Sequence, residues 1–254
     1  MADATQSSAE KQTAAKRFGD LKNNRKEAET RAKRCAKVTL PRLWVDEGAK
    51  SRTPGSAYID TGPRCVNALA SKIVLAWLPP NAGVFKLSPD AADAEAIAEQ
   101  AGVERSELEA ALVDIERVVV NDLETSGVRS VLSEAAKHAI VTGNFLLYDP
   151  DEGKPKLYPL TSYVVDRDGL GNVMEIITLD KIAPTMLPES IRKTVMQQLA
   201  QERDEKSKND DVNLYTWVRR SEDNQVWEVV QEVEGVQIPE TVGTYPIDAC
   251  PWIP

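Results

Sequence analysis

Histidine is almost missing from this 254-residue chain, and cysteine is sparse: His138 stands alone, and Cys35, Cys65 and Cys250 lie far apart. These shortages exclude much chemistry. A Ser–His–Asp or Cys–His mechanism would have to use His138, which has no acidic or thiol partner at i+3 or i+4 and only Glu134 one turn back. It reads as a structural or surface histidine. One histidine with scattered cysteines does not build a structural zinc site. There is no CxxC pair and no secretory leader at "MADATQSSAEK", so the expected setting is a reducing compartment without a disulfide frame. No apolar run approaches the roughly 18 residues a bilayer span requires. The best stretch, "VNALASKIVLAWLPP", contains Lys72 and ends in two prolines. A GxxxxGK[ST] phosphate loop is also missing. "GLGN" leads from one strand into another, which removes the helix N-terminus that cradles a pyrophosphate. No cofactor, metal, catalytic residue or membrane is expected.

What the chain has is charge, unevenly placed. Between Lys11 and Arg42 lie eleven basic residues and three acids, +8 in all, while the whole chain carries −9 and the remainder therefore −17. Such asymmetry predicts a basic arm that meets an acidic partner, either nucleic acid or the acidic body of a neighbouring copy; the bland alternative is a solvated helix with a basic face. With 42% hydrophobic and 28% charged residues, the rest is globular.

Hydrophobic periodicity predicts an α+β fold: a helical domain with antiparallel β-hairpins and a long N-terminal helix. Residues 1–42 form the basic N-terminal helix or arm, read as one long helix or as two with a break near Gly19 to Asn24. Its apolar content is thin (Phe18, Leu21, then alanines), so burial within one subunit is expected to be slight. Residues 43–62 read as an extended loop anchored by Trp44 and Tyr58, and 63–254 as the α+β body. The best amphipathic helix places Val66, Leu69, Ala70, Ile73, Val74 and Trp77 on one stripe and stops at Pro79 and Pro80. "VFKLS" reads as a short strand. Ser88 is expected to cap the next helix, with Pro89 at its first position and Gly102 at its end. Ser106 and Glu109 have capping-box spacing for another helix, striped by Leu108, Leu112, Ile115, Val119 and Leu123. A third runs from about Val128 to Thr142, with Leu132, Ala135, Ala136, Ala139 and Ile140 inward. The period then changes to 2: "FLLYDP", "GKPKLYPL", "SYVVDRD" and "NVMEIITLD" are strands, a helix follows Pro188, and "VNLYTWVRR" and "QVWEVVQEVEG" pair across "SEDN". "GTYPIDACPWIP" is extended and broken by proline, without terminal punctuation.

The stretch "YVVDRDGLGNVMEIITLD" has the look of a calcium loop, with Asp166, Asp168 and Gly171 at positions one, three and six. Position five is Leu170 and position twelve is Ile177, so two essential oxygens are missing. A hairpin accounts for more, with Gly169 and Gly171 supplying positive φ.

Five blocks taken in order carry more information than any one alone. "NNRKEAETRAKRCAKVTLPRLW", "VNALASKIVLAWLPPNAGVFKLS", "AAKHAIVTGNFLLYDP", "KLYPLTSYVVDRDGLGNVMEIITLDKIAPTMLPESIRK" and "GTYPIDACPWIP" resemble the N-terminal half of the portal (head-to-tail connector) proteins of short-tailed, podovirus-type bacteriophages. The resemblance implies a non-catalytic subunit of a dodecameric ring at the capsid vertex of the virion, assembled in the host cytoplasm, with double-stranded DNA in its channel. It implies contacts with the major capsid and scaffolding proteins, and contacts with terminase and tail adaptor through stem, clip and crown regions that have no counterpart here. The body 63–254 would be the wing, leading into a stem. On this reading Lys16, Arg17, Arg31, Lys33, Arg34, Lys37, Arg42 and Trp44 are the candidate contacts to a neighbouring subunit, capsid or DNA. The competing reading is a nucleic-acid-binding module using the cations of the N-terminal helix, although only Phe18 is available there for base stacking. A metal-dependent enzyme built on the acidic turns is the third.

Overall fold

The computed structural model describes residues 13–44, 60–80, 84–150, 153–202, 211–221, 223 and 225–254. Among them are helices α1 (Ala14–Asn24), α2 (Lys26–Val38), α3 (Thr61–Trp77), α4 (Ala91–Ala101), α5 (Arg105–Thr125), α6 (Val128–Thr142) and α7 (Glu189–Glu202). The strands are β1 (Phe145–Tyr148), β2 (Lys156–Pro159), β3 (Tyr163–Arg167), β4 (Val173–Ile182), β5 (Val212–Arg220), β6 (Val226–Val233), β7 (Val236–Gln237), β8 (Gly243–Pro246) and β9 (Trp252–Ile253). The fold is α+β, as the change of period predicts. The chain divides into two compact units, one formed by the described residues up to Lys33 with Tyr158–Pro254, the other by Arg34–Leu157.

The first unit is built on an antiparallel sheet in the order β3-β4-β5-β6, with β7 and β8 both on the far edge of β6. Strand alternation sorts its side chains onto two faces. Ile177, Tyr215 and Trp217 point one way, where α1 packs Phe18 and Leu21 against them and Val164. Val212, Leu214 and Val233 point the other way, where α7 packs Ile191 and Val195 together with Leu187 and Ile238. The β3–β4 connection is the hairpin, with Asp166 opposite Glu175 and a bulge at Arg167. Asp168 holds the turn together: its Oδ1 accepts from the amides of Leu170 (2.9 Å) and Asn172 (2.8 Å), and its Oδ2 from the Asn172 side chain (2.8 Å). Those donors, the Asn172 side chain foremost, hold its carboxyl below the usual range. Only Gly171 takes positive φ (92°), so the expectation for Gly169 is corrected: one left-handed residue suffices once Asp168 braces the loop. The β5–β6 pairing runs from Leu214 opposite Val233 to Arg220 opposite Trp227, as the sequence predicts.

The second unit is helical. The end of α2, the turn at Pro41–Leu43, α3 and α6 share a core of Ala36, Leu40, Leu43, Val66 and Val141, continued by Ala70, Val74 and Ala136. The stripe on α3 is narrower than its sequence pattern: Val66, Ala70 and Val74 are buried, but Leu69 and Trp77 stay exposed, because α6 presents alanines and covers only one strip of the helix. On α6 the buried side chains are Ala135, Ala136, His138 and Val141, and Gly143 closes the helix at φ 81°. Three local expectations move. "VFKLS" forms no strand from Val84 onward; the Leu87 amide is taken by Glu116 Oε1 (2.5 Å) on α5 rather than by a ladder partner. Helix α4 begins at Ala91 behind Asp90, not behind Ser88. The capping box of α5 is Glu104 with Glu107, two residues ahead of the Ser106–Glu109 pair, because a carboxylate accepts the orphan amide as well as a hydroxyl does. Tyr58, most of the loop 43–62, and the charged stretch at 203–210 lie outside the described residues.

Candidate interaction surface

The N-terminal helices break at Arg25, just past the expected interval, where Asn23 and Asn24 weaken the helix and Arg25 leaves helical dihedrals (φ −104°, ψ 13°). Its guanidinium reaches the Leu160 carbonyl (2.5 Å) and Glu29 (2.9 Å) and lies over the Tyr163 ring. Burial of Tyr163 pushes its phenol up to about 12. The expectation of slight burial for this region is corrected for α1. Ala14, Phe18 and Leu21 are buried, and Phe18 meets Tyr215 edge-on at 5.6 Å between centroids. Two large side chains on a half-polar helix are enough when each contributes about 1.5–3 kcal/mol on burial.

Arg17 completes that docking. Its Nε donates to Glu175 Oε1 (2.5 Å), and its terminal nitrogen donates to Asp166 (2.9 Å). The other oxygen of Glu175 accepts from the Trp217 indole N–H at 2.8 Å. The hydrogen bond to Glu175 is the largest influence that raises the Arg17 pKa further. Glu175, buried in the sheet, thus has both oxygens occupied, and Arg17 is committed inside its own chain. That removes Arg17 from any continuous phosphate-binding row on α1 and counts against the nucleic-acid-module reading.

The remaining candidates divide by position. Arg31, Lys33, Arg34 and Lys37 are exposed on α2, on the side away from buried Ala32 and Ala36. Arg31, Arg34 and Lys37 meet no acidic partner among the described residues. Arg42 is exposed in the following turn, whereas Trp44 is half-buried against the core of the second unit. Lys16 sits on α1 beside Arg17, exposed.

A second surface was not singled out by sequence. Helix α5 is 21 residues long and buries none of them fully. Leu108, Leu112, Val120 and Leu123 are half-buried, but Val113, Ile115, Val118 and Val119 are exposed. The predicted stripe is thereby corrected: Ile115 and Val119 belong to it yet lie exposed, and with Val113 and Val118 beside it the helix carries more apolar residues than one buried face can take.

His138 is buried, its Nδ1 has no hydrogen-bond partner, and burial lowers its pKa. Among the described residues no group of three or more His, Cys, Asp or Glu side chains is placed to hold a metal ion, and no helix is long and apolar enough to cross a membrane.

Residues 11–254 match the family model described as bacteriophage head to tail connecting protein. The chain is 37% identical over 240 residues to the portal protein of Escherichia phage T7, covering 92% of this chain and 44% of that protein. It is 35% identical over 259 aligned positions to the portal protein of Enterobacteria phage T3, covering 100% and 47% respectively. The portal protein of Enterobacteria phage SP6 is 29% identical over 209 residues. The chain spans a little under half the length of the T7 and T3 relatives. On a match running from residue 11 to its last residue, this chain belongs to the family of bacteriophage head-to-tail connecting proteins.

Proposed function

We propose that this chain supplies the wing of a portal subunit, residues 63–254, with residues 1–42 as its basic arm and 43–62 as the connecting loop. In this reading copies of the subunit close into a dodecameric ring at one vertex of the phage capsid. The ring surrounds double-stranded DNA as it enters and leaves. The role is structural, and the work of moving DNA belongs to a separate ATP-hydrolysing terminase. The observation that carries the reading is the family match over residues 11–254. Arg31, Arg34 and Lys37 on α2, which meet no acidic partner among the described residues, and an α5 face that the described residues leave exposed give it physical support, because a ring of identical subunits needs two different surfaces that complement each other. Arg31, Lys33, Arg34 and Lys37, flanked by Lys16 and Arg42, are the contact set. Arg17 and Trp44 serve it by fixing the arm to the body. Capsid and scaffolding proteins are the partners expected outside the ring, with terminase and tail adaptor engaged by parts of the subunit beyond the wing.

The test is the assembly state of the complete natural polypeptide, read by light scattering and negative-stain microscopy. Rings with a central hole are the expected result. A monomer that persists across concentrations overturns the reading.

A further inference from the structure

We propose that the exposed face of α5 is the seat for helix α2 of the next copy of this chain. The inference rests on the ring reading above and names the two surfaces that would meet. Three observations carry it. First, α5 buries no residue, and its outer side is apolar at the centre: Val118 is 66% exposed and Ile115 50%. Second, that stripe lies in an acidic field. Residues 91–125 contain ten acids and only two arginines, and both arginines are already paired along the helix, Arg105 with Glu109 and Arg117 with Asp114. Third, the same chain carries the complement. Arg31, Arg34 and Lys37 project from α2 with no acidic partner among the described residues, and Val38 beside them is 69% exposed.

The charges decide the occupant. An acidic helix repels nucleic acid, so DNA cannot be what covers α5. A cationic helix with a small apolar end fits both the field and the stripe. Because α2 and α5 are different surfaces, the contact is heterologous, and repetition of one such contact closes a ring when the rotation permits. Charged residues around the rim steer the approach and set the register, while burial of Ile115 and Val118 holds the pair together.

Cys35 makes this directly testable, since it is exposed on α2 between Arg31 and Lys37. The exposed Cys65 is replaced (Cys65→Ser) and Val118→Cys is introduced on α5. Purified protein is treated with a short bis-maleimide, and covalent multimers are read on a denaturing gel. Leu170→Cys, 90% exposed in the β3–β4 turn, is the control, and Ile115→Cys is the second reporter if Val118→Cys disturbs assembly. The expected result is a ladder of multimers with Val118→Cys or Ile115→Cys and none with Leu170→Cys, the ladder shrinking severalfold at high salt. Rings in the microscope with no ladder from either α5 reporter, or with an equal ladder from the control, overturn this interface and leave the ring reading standing. No rings from the parent chain and no ladder from either α5 reporter overturn the ring reading, and this interface with it.

Discussion

Glu175 is bonded on both sides, to Arg17 of α1 and to the Trp217 indole of the neighbouring strand. A buried carboxylate is tolerated only when its lone pairs are filled, and here a cation and an indole N–H fill them. Replacing it with glutamine keeps the shape but removes the charge opposite Arg17. Glu175→Gln is expected to lower stability by about 1–3 kcal/mol, measured as a lower urea midpoint. Asp166→Asn should cost less, because Asp166 is 42% exposed and water screens its pair with Arg17. His138 gives the second prediction at this scale. Burial lowers its pKa, so the unfolded chain takes up a proton near pH 6.5 while the folded chain resists until lower pH. The unfolded state binds more protons in that window, and stability falls as pH drops below about 6.5. Melting temperatures at pH 7.5 and 5.5 should therefore differ more for the parent protein than for His138→Gln.

The elements are held together by close approach as much as by large side chains. Gly62, in the first turn of α3, leaves room for the end of α2: a Cβ there would lie 2.6 Å from the Val38 carbonyl oxygen. Backbone cannot yield as a side chain can, so Gly62→Ala should destabilise the helical unit by about 1–3 kcal/mol, seen as a lower thermal midpoint. Its backbone dihedrals are not the issue, since Gly62 does not adopt positive φ. Helix α5 is the opposite case. Ile115→Gln with Val118→Gln removes apolar groups that the subunit itself does not bury, so stability of the isolated subunit should stay within about 0.5 kcal/mol. A larger loss would mean that α5 packs within its own chain.

At the scale of the whole molecule the charge is segregated rather than merely abundant. The chain is −9 overall, with acids concentrated on α4 and α5 and a basic outer face on α2. Reversing two cations, Arg31→Glu with Arg34→Glu, should leave circular dichroism and melting unchanged, because neither residue supports the fold. The same variant should weaken assembly at least tenfold in sedimentation velocity if α2 is a contact surface. An unchanged assembly profile would remove α2 from the interface.

The residue order alone was enough for most of the helices and strands, because each announces itself through a local period of 3.6 or 2 and through turns such as Asp168–Asn172 and Gly143; it misled at "VFKLS", where the Leu87 amide bonds Glu116 rather than a ladder partner. It was also enough for the family, which the order of five blocks displays. It could not show that α1 docks onto its own sheet, since Phe18 finds Tyr215 and Arg17 finds Glu175 across more than 150 residues of chain. It could not show that Leu69, Trp77, Ile115 and Val118 remain outside. A helix pattern says which residues share a side. Which side is covered depends on what arrives from elsewhere in the chain, and only the tertiary structure records that.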